Sequence, residues 1–513
     1  MDGVTIMNDT TNIEMNTIDH MKQRILDAQH NRLTHTDFDI HAELEKVLQD
    51  IGLSSADSGG EISFTGKDPI VPSVLCLASS AGIGMVAKSV AAANLWRLRG
   101  GKGQDISLDL RKILHRLSPF YDRKWEKLNG YSPASPSDPS QALKFGFYET
   151  KDHRWVMPLE PYPKLKINTL KLLDCADTPE AVAKAISKWN AKDLEDAAAK
   201  VGVVMPMART LEEFIEEPTF ADVAKLPLIQ IEKIGESEPE PLSQGVSSPL
   251  EGIRALGMGH VIAGAGIGRA LALQGADVLN IWRPSDWEVD TTYYTSSVGM
   301  RSSTLEIGEP QGHAKMQTLL QDADIFFANR RPSYLNRFEL DPQQAAAIRP
   351  GIIHVSVSLH GEDGVWADRV GFDQTAGTVT GVMCLEGTPE KPQLPAILVV
   401  NDYIISWLAA AGAMAALARR AQEGGSYKVH ISLSRVSLWL MSMGIFDKNY
   451  AYTTAGSSDE HLYLDPDLFT AETVCGDYQG VTDQVQMSET SGHYNTVLVP
   501  RGSNRPEWLP KNL

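Results

Sequence analysis

The sequence predicts an α/β protein, with a Rossmann-like parallel sheet forming a large domain and a smaller α+β domain beside it. Three observations point there. Between residues 253 and 358 short β-rich runs alternate with short helical runs, the pattern of βαβ units whose parallel sheet is covered on both faces. The stretch Ile234–Pro249, with Glu236, Glu238, Glu240 and three prolines, cannot bury much and separates that region from what precedes it. The chain, at 513 residues, is too long for one ordinary domain and suggests about two to four folding units.

Taken in order, residues 1–60 read as a helical extension, in which His41–Ile51 places Leu44, Val47, Leu48 and Ile51 on one face. Residues 61–118 read as a helix–strand element packing with the large domain. It holds an Ala-rich helix (Gly84–Leu98), a glycine turn (Gly100–Gly103) and an alternating strand (Asp105–Leu110). Residues 119–233 form the small α+β domain, beginning with the Ser- and Pro-rich Ser132–Ser140 and including helices at Ala181–Trp189 and Asp193–Val201. Residues 234–248 are the linker, and 249–450 the Rossmann-like domain. Its strands are placed at Ile253–Gly257, Ala276–Ile281, Ala323–Ala328 and Gly351–Ser358, with helices at Gly268–Leu273, His313–Leu320, Pro342–Ala347 and Ile404–Ala421. Residues 451–513 are a tail packing on the body. Within it Leu498–Ser503 reads like a thrombin site, but the sequence that follows makes it native.

An internal echo links two of these regions. Ala91–Leu108 resembles Ala415–Leu433: each is an Ala-rich helix with a basic last turn, a glycine cap and an amphipathic strand.

Composition narrows the function. Lys and Arg number 47 against 65 Asp and Glu, a net charge of −18, and no basic block offers a nucleic-acid footprint. Cys76, Cys175, Cys384 and Cys475 show no CxxC or metal-like spacing, which suits a reducing compartment and predicts neither disulfides nor a metal. The longest apolar run, around Ile404–Leu417, falls short of the roughly 20 residues of a membrane span. The N-terminus carries Asp2, Asp9, Glu14 and Asp19 with no basic start, so the cytoplasm is the expected location.

Two motifs carry candidate chemistry. The run Ala263-Gly-Ala-Gly-Ile-Gly268 resembles a dinucleotide turn, but its spacing is GxGxG, and Trp282-Arg283 stands where an acidic ribose ligand would. An arginine there suits a 2′-phosphate, so NADP stays open. The only Tyr-x-x-x-Lys, Tyr162–Lys166, lies upstream of the glycines and carries a proline. The second motif is Asn401-Asp402-Tyr403, before the apolar helix. Asp402 is either an N-cap or a carboxylate kept ionised by helix-end N–H groups and able to attack a thioester. Its counterpart in the echo lies near Ser79, and no Asp or Glu occurs from Pro69 to Gln104.

Pro249–Leu256, His260–Gly264, Gly275–Leu279, Arg331-Pro332, Arg349–Ser356, Gly371-Phe-Asp373, Asp402 and Gly424–Leu433 follow one another in a way that resembles the class III CoA-transferase family (CaiB/BaiF type). Residues 66–225 resemble the family's helix–strand element followed by its small domain, which here precedes the Rossmann-like part. The resemblance implies a CoA-transferase moving CoA from an acyl-CoA to a carboxylic acid, with coenzyme A as acyl carrier, no metal, and Asp402 forming an aspartyl anhydride and then an aspartyl-CoA. Backbone N–H groups at the helix start would stabilise the oxyanion. It also implies CoA phosphates near Arg331 and Arg283, with Arg301, Gly264, Gly371 and Phe372 as further cofactor contacts, and a homodimer with neither nucleic-acid nor membrane partners. The family's 2-methylacyl-CoA racemases use a Gly-His-Asp base where this chain has Gly371-Phe-Asp373, which favours transfer. His360, where relatives carry Tyr, reads as a loop residue. Where relatives have Gly-Lys-x-Ser, this chain has Gly299-Met-Arg-Ser302. A racemase, a non-catalytic CoA-binding protein and an NADP oxidoreductase remain as alternatives.

Overall fold

The computed structural model describes residues 3–35, 38–117, 119, 122–133, 146–398 and 400–510, without the side chains of 3–14 and 16. Part of the Ser- and Pro-rich stretch, 134–140, lies outside the described residues.

Strand β1 (Gly59–Thr65), helix α1 (Leu77–Leu98) and strand β2 (Gln104–Asp109) open the body, the two strands pairing in parallel. A seven-stranded sheet follows: β3 (Gln230–Gly235), β4 (Arg254–Met258), β5 (Asp277–Trp282), β6 (Arg301–Thr304), β7 (Ile325–Ala328), β8 (Ile353–Ser358) and β9 (Ser426–Ser432). Its spatial order is β3-β9-β8-β7-β4-β5-β6; β3 is the antiparallel edge and every other pair is parallel. The run 6-5-4-7-8-9 is the doubly wound order, with its reversal between β4 and β7. The edge strand β3 runs into the start of the stretch read as a linker, at Ile234 and Gly235, and further along that stretch Glu240 takes Arg349 in a bidentate ion pair of 2.6 and 2.7 Å. Strand β10 (Val485–Met487), from the tail, pairs antiparallel with β2.

Both faces of the large sheet are apolar because alternate residues of each strand enter different cores. Ala255, Val278, Ile325 and Phe327 join the larger cluster, with helices α2 (Ala263–Leu273) and α4 (Asn401–Glu423) and with α1. Leu256, Leu279, Phe326 and Ala328 join a second cluster with Met316, Leu320, Leu335 and Ala345 from the helices on the other face. Helix α4 is apolar all round, as a helix buried on every side must be. At 23 residues it is long and apolar enough to cross a membrane, yet 89% of its apolar window is buried inside the protein. It is longer than the run Ile404–Leu417 suggested, and it packs on α1, its counterpart in the internal echo. The small α+β part contains the helices Pro163–Leu173, Pro179–Ile186 and Ala191–Lys200, closed on Val156, Val182, Leu194 and Met205. In the N-terminal helix Ile40–Asp50, Leu44, Val47 and Leu48 are buried, as is Ile51 just beyond it.

Candidate active site

The chain between β4 and α2 turns sharply at the point where the strand order reverses. Two asparagines fix it by reciprocal bonds. Asn280 Oδ1 accepts from Gly259 N at 2.9 Å while its Nδ2 donates to Gly259 O at 3.0 Å. Asn329, one residue past β7, does the same for His260, at 2.9 and 3.0 Å. Val261 is held at φ 54°, costly for a β-branched residue, while its N–H donates to Glu288 Oε2 at 2.9 Å.

The glycine run that resembled a phosphate loop lies inside α2. A Cβ on Gly264 would stand 2.3 Å from Asn329 Oδ1 and 2.9 Å from Gly259 Cα, so this glycine permits close packing of helix on turn, and its expected role as a cofactor contact gives way to a packing one. Gly266 makes a similar approach to Ser406, which sets the start of α2 beside the start of α4.

Asp402 is the second residue of α4, not its cap, and is 6% exposed. Its N–H donates to Asp373 Oδ2 at 2.8 Å. Asp373, 4% exposed and first in helix α3 (Asp373–Thr380), also draws on the N–H groups of Asn401 and Val400. The donors expected to serve Asp402 or an oxyanion are therefore taken by Asp373. Burial and the adjacent Asp373 carboxylate push Asp402 well above the ordinary carboxylate range, the reverse of the expected stabilised anion. Burial raises Asp373 too, against the pull of the three N–H groups.

The echo reproduces this cap. Asp68 accepts from Ala78 N at 3.1 Å and Ser79 N at 2.7 Å at the start of α1, and Ala78, second in α1, occupies the place that Asp402 holds in α4. The first copy keeps the capping carboxylate and lacks the second one.

Other polar residues, given no role from the sequence, stand in this part of the fold. Tyr162, dismissed with its Tyr-x-x-x-Lys motif, donates to Glu288 Oε1 at 3.0 Å and stacks on Phe372 at 6.0 Å and 16°. Burial, Glu288 and, more weakly, Asp402 push its hydroxyl well up. Two residues before it, Glu160 is buried with Thr169 Oγ1 donating at 2.5 Å; burial raises it to about 8. His260 Nε2 lies between Arg330 and Asp286 Oδ2, the latter at 3.0 Å; burial and the Arg330 cation lower it to about 4, leaving it neutral.

The predicted cationic residues divide. Arg283 bonds Asp286 at 2.6 and 3.0 Å, so its charge is already answered. Arg331 is exposed, reaches only the Asp368 carbonyl at 3.3 Å and makes no ion pair among the described residues. Arg301 begins β6 and is paired with Asp277 at 2.9 Å, at the amino edge of the sheet, so the expectation that it meets the cofactor is corrected. Gly371 packs against Leu359 and Thr375, two residues before Asp373. His360 is buried away from the pair, its Nδ1 2.8 Å from Ser434 Oγ and its ring against Trp366. Burial with the Arg369 and Arg209 cations lowers it to about 3. Of the residues given no role from the sequence, Arg330 adjoins Arg331, and His260 and Asp373 stand in the runs His260–Gly264 and Gly371-Phe-Asp373; Glu160, Asp286 and Glu288 carried no signal.

Fold and site together define a doubly wound α/β protein with a buried carboxylate pair where two crossover helices begin. Residues 250–471 match the family model of CoA-transferase family III. The acetyl-coenzyme A transferase nodX of Hypoxylon pulicicidum is 29% identical over 39% of this chain and 35% of its own length. The succinyl-CoA–D-citramalate CoA-transferase of Chloroflexus aurantiacus is 28% identical over 39% of this chain and 52% of its own. The chain thus spans about a third and about half of these two relatives. A solved CAIB/BAIF family protein from Brucella suis is 22% identical, covering 45% of this chain and 65% of that one, with a TM-score of 0.36.

Proposed function

We propose that the chain is a CoA-transferase that moves CoA from an acyl-CoA thioester to a carboxylic acid, with Asp402 as nucleophile. The observation that carries this reading is the Asp402–Asp373 pair, in which Asp373 takes the helix N–H groups and Asp402 keeps a buried carboxyl with no hydrogen-bond donor among the described residues. An Asp402 carboxylate beside Asp373 is a high-energy anion, and acylation removes its charge. Bond formation to the thioester carbonyl therefore relieves repulsion in the ground state.

The Asp402 oxygen attacks the thioester carbon, the C–S bond breaks, and its electron pair leaves on the CoA thiolate, giving a mixed anhydride. The thiolate then attacks the Asp402 carbonyl, expelling the donor's carboxylate and forming an aspartyl-CoA thioester. The acceptor carboxylate attacks that thioester, releasing thiolate and forming a second anhydride. Thiolate attack on the acceptor carbonyl completes transfer and returns Asp402 as a carboxylate. One thioester replaces another, so no nucleotide is consumed, and the anhydrides require exclusion of water. CoA fits the carboxyl ends of the strands at the switch point, with Arg331 as the available phosphate partner; Arg283 would have to leave Asp286 to join it. Gly371 and Phe372 border the same site.

The test is mass spectrometry after incubation with a panel of acyl-CoAs and hydroxylamine. A hydroxamate on Asp402, absent in Asp402→Ala, supports transfer. CoA binding without an adduct for any acyl group would instead make this a CoA-binding protein without catalysis.

A further inference from the structure

We propose that Tyr162 is a gate over the Asp402–Asp373 pair, hooked shut by Glu288, and that acyl groups reach Asp402 only when its ring swings away. The purpose of the gate rests on the transferase reading; its existence does not. Both carboxyls are nearly sealed, at 6% and 4% exposure, so a thioester carbon cannot touch Asp402 in this arrangement. From the small α+β part, Tyr162 reaches the edge of this pair. Its ring stacks on Phe372, whose chain neighbour is Asp373, and its hydroxyl lies within electrostatic reach of Asp402.

The hook is built on the opposite, rigid side. Glu288 Oε2 accepts from Val261 N, and its Oε1 accepts from Val289 N and Thr292 Oγ1, each at 2.9 Å, which fixes the carboxylate where Oε1 also takes the Tyr162 hydroxyl at 3.0 Å. Tyr162 is flanked by Pro161 and Pro163 and lies at φ −108°, ψ 138°, the extended conformation that a following proline enforces. With the backbone fixed on both sides, the freedom left to open is the side-chain rotation of Tyr162, at the cost of one hydrogen bond and one stacking contact. Trp287, 45% exposed, stands edge-on to the ring at 5.7 Å and 88° and gives an apolar surface where the opening meets solvent. A ring that closes behind the substrate also keeps water from an anhydride on Asp402.

Carboxyl labelling with a water-soluble carbodiimide and an amine, read by mass spectrometry on the full chain, tests this without any turnover. Asp402 should label slowly in the wild type, at least about tenfold faster in Tyr162→Ala, and at an intermediate rate in Tyr162→Phe, which keeps the ring and loses the hook. Asp68, 5% exposed at the start of α1, serves as the internal control and should not change. Equal Asp402 labelling in all three proteins overturns the gate, as does acceleration of Asp68 together with Asp402, which would report loosening of the whole molecule. Tyr162→Phe guards against a misfolded alanine variant. If Asp402 becomes accessible yet hydroxylamine captures nothing in any protein, the gate stands and the transferase reading falls.

Discussion

At the scale of single residues, the site is two carboxyls with unequal surroundings. Asp373 accepts backbone N–H groups from the start of α4, and Asp402 faces only burial and that neighbouring charge. Replacing Asp373 by Asn removes the charge while keeping a carbonyl oxygen for Asp402 N. Asp402 should then ionise at lower pH, and the acid limb of the pH–rate profile should move toward the ordinary carboxylate range, with a lower maximal rate because the ground-state repulsion is lost. An unmoved acid limb in Asp373→Asn would show that another group controls it. Asp402 was legible in the sequence because a carboxylate before a long apolar run stands out. Asp373 was visible only as part of a motif, since its role is defined by hydrogen bonds to residues nearly thirty positions away. Glu288 left no sequence signal at all: its partners Tyr162 and Val261 lie 126 and 27 positions distant.

At the scale of elements, the strands that periodicity placed lie within two residues of the observed ones, and the larger boundary errors sit where helices start. The glycines of α2 look like a loop because glycine is a poor helix former, about 1 kcal/mol worse than alanine. They are helical because turn and helix approach so closely that no side chain fits. Likewise α4 begins at Asn401, not Ile404, which moves Asp402 from the cap into the first turn and leaves capping to Asp373. Gly264→Ala separates the two effects. Helix propensity alone would stabilise this variant, but the methyl would displace Asn329 from its clamp on His260. The variant should be destabilised by about 1–3 kcal/mol, as overpacking and a lost buried hydrogen bond imply, in urea unfolding monitored by tryptophan fluorescence. A neutral or stabilised variant would mean that the turn yields freely.

At the scale of the whole molecule, alternation of strands and helices showed that a parallel sheet exists, but not its order, because strand order is set by which faces bury each other and not by local pattern. The antiparallel edge β3 was missed for the same reason: its residues precede a polar stretch, and only pairing with β9 makes them part of the sheet. The echo was legible as residue identity, while the packing of α1 on α4 emerged only in three dimensions. One property of the assembled molecule belongs to no single site. Burial raises Glu160 to about 8 and Glu386 to about 7, so both are protonated in the folded chain at pH 6.5 and ionised once unfolded. Above their unfolded values, near 4.5, the folded state binds more protons than the unfolded one, so stability falls as pH rises and the loss continues until each folded pKa is passed. His260 and His360, lowered to about 4 and about 3, act in the other direction: their contribution is complete above an unfolded value of roughly 6.5 and is lost as pH drops below it. Above about pH 7.5 the unfolded histidines are neutral too and the raised carboxyls act with little opposition, so the midpoint of thermal unfolding should decline from there through about pH 8. Glu160→Gln keeps an acceptor for Thr169 and removes the titration, so its decline should be shallower than the wild type's, with the difference in slope largest near about pH 7 and fading as pH passes about 8. Parallel curves for the two proteins in calorimetry would show that Glu160 ionises in the folded chain as readily as in the unfolded one, and that water reaches this buried carboxyl.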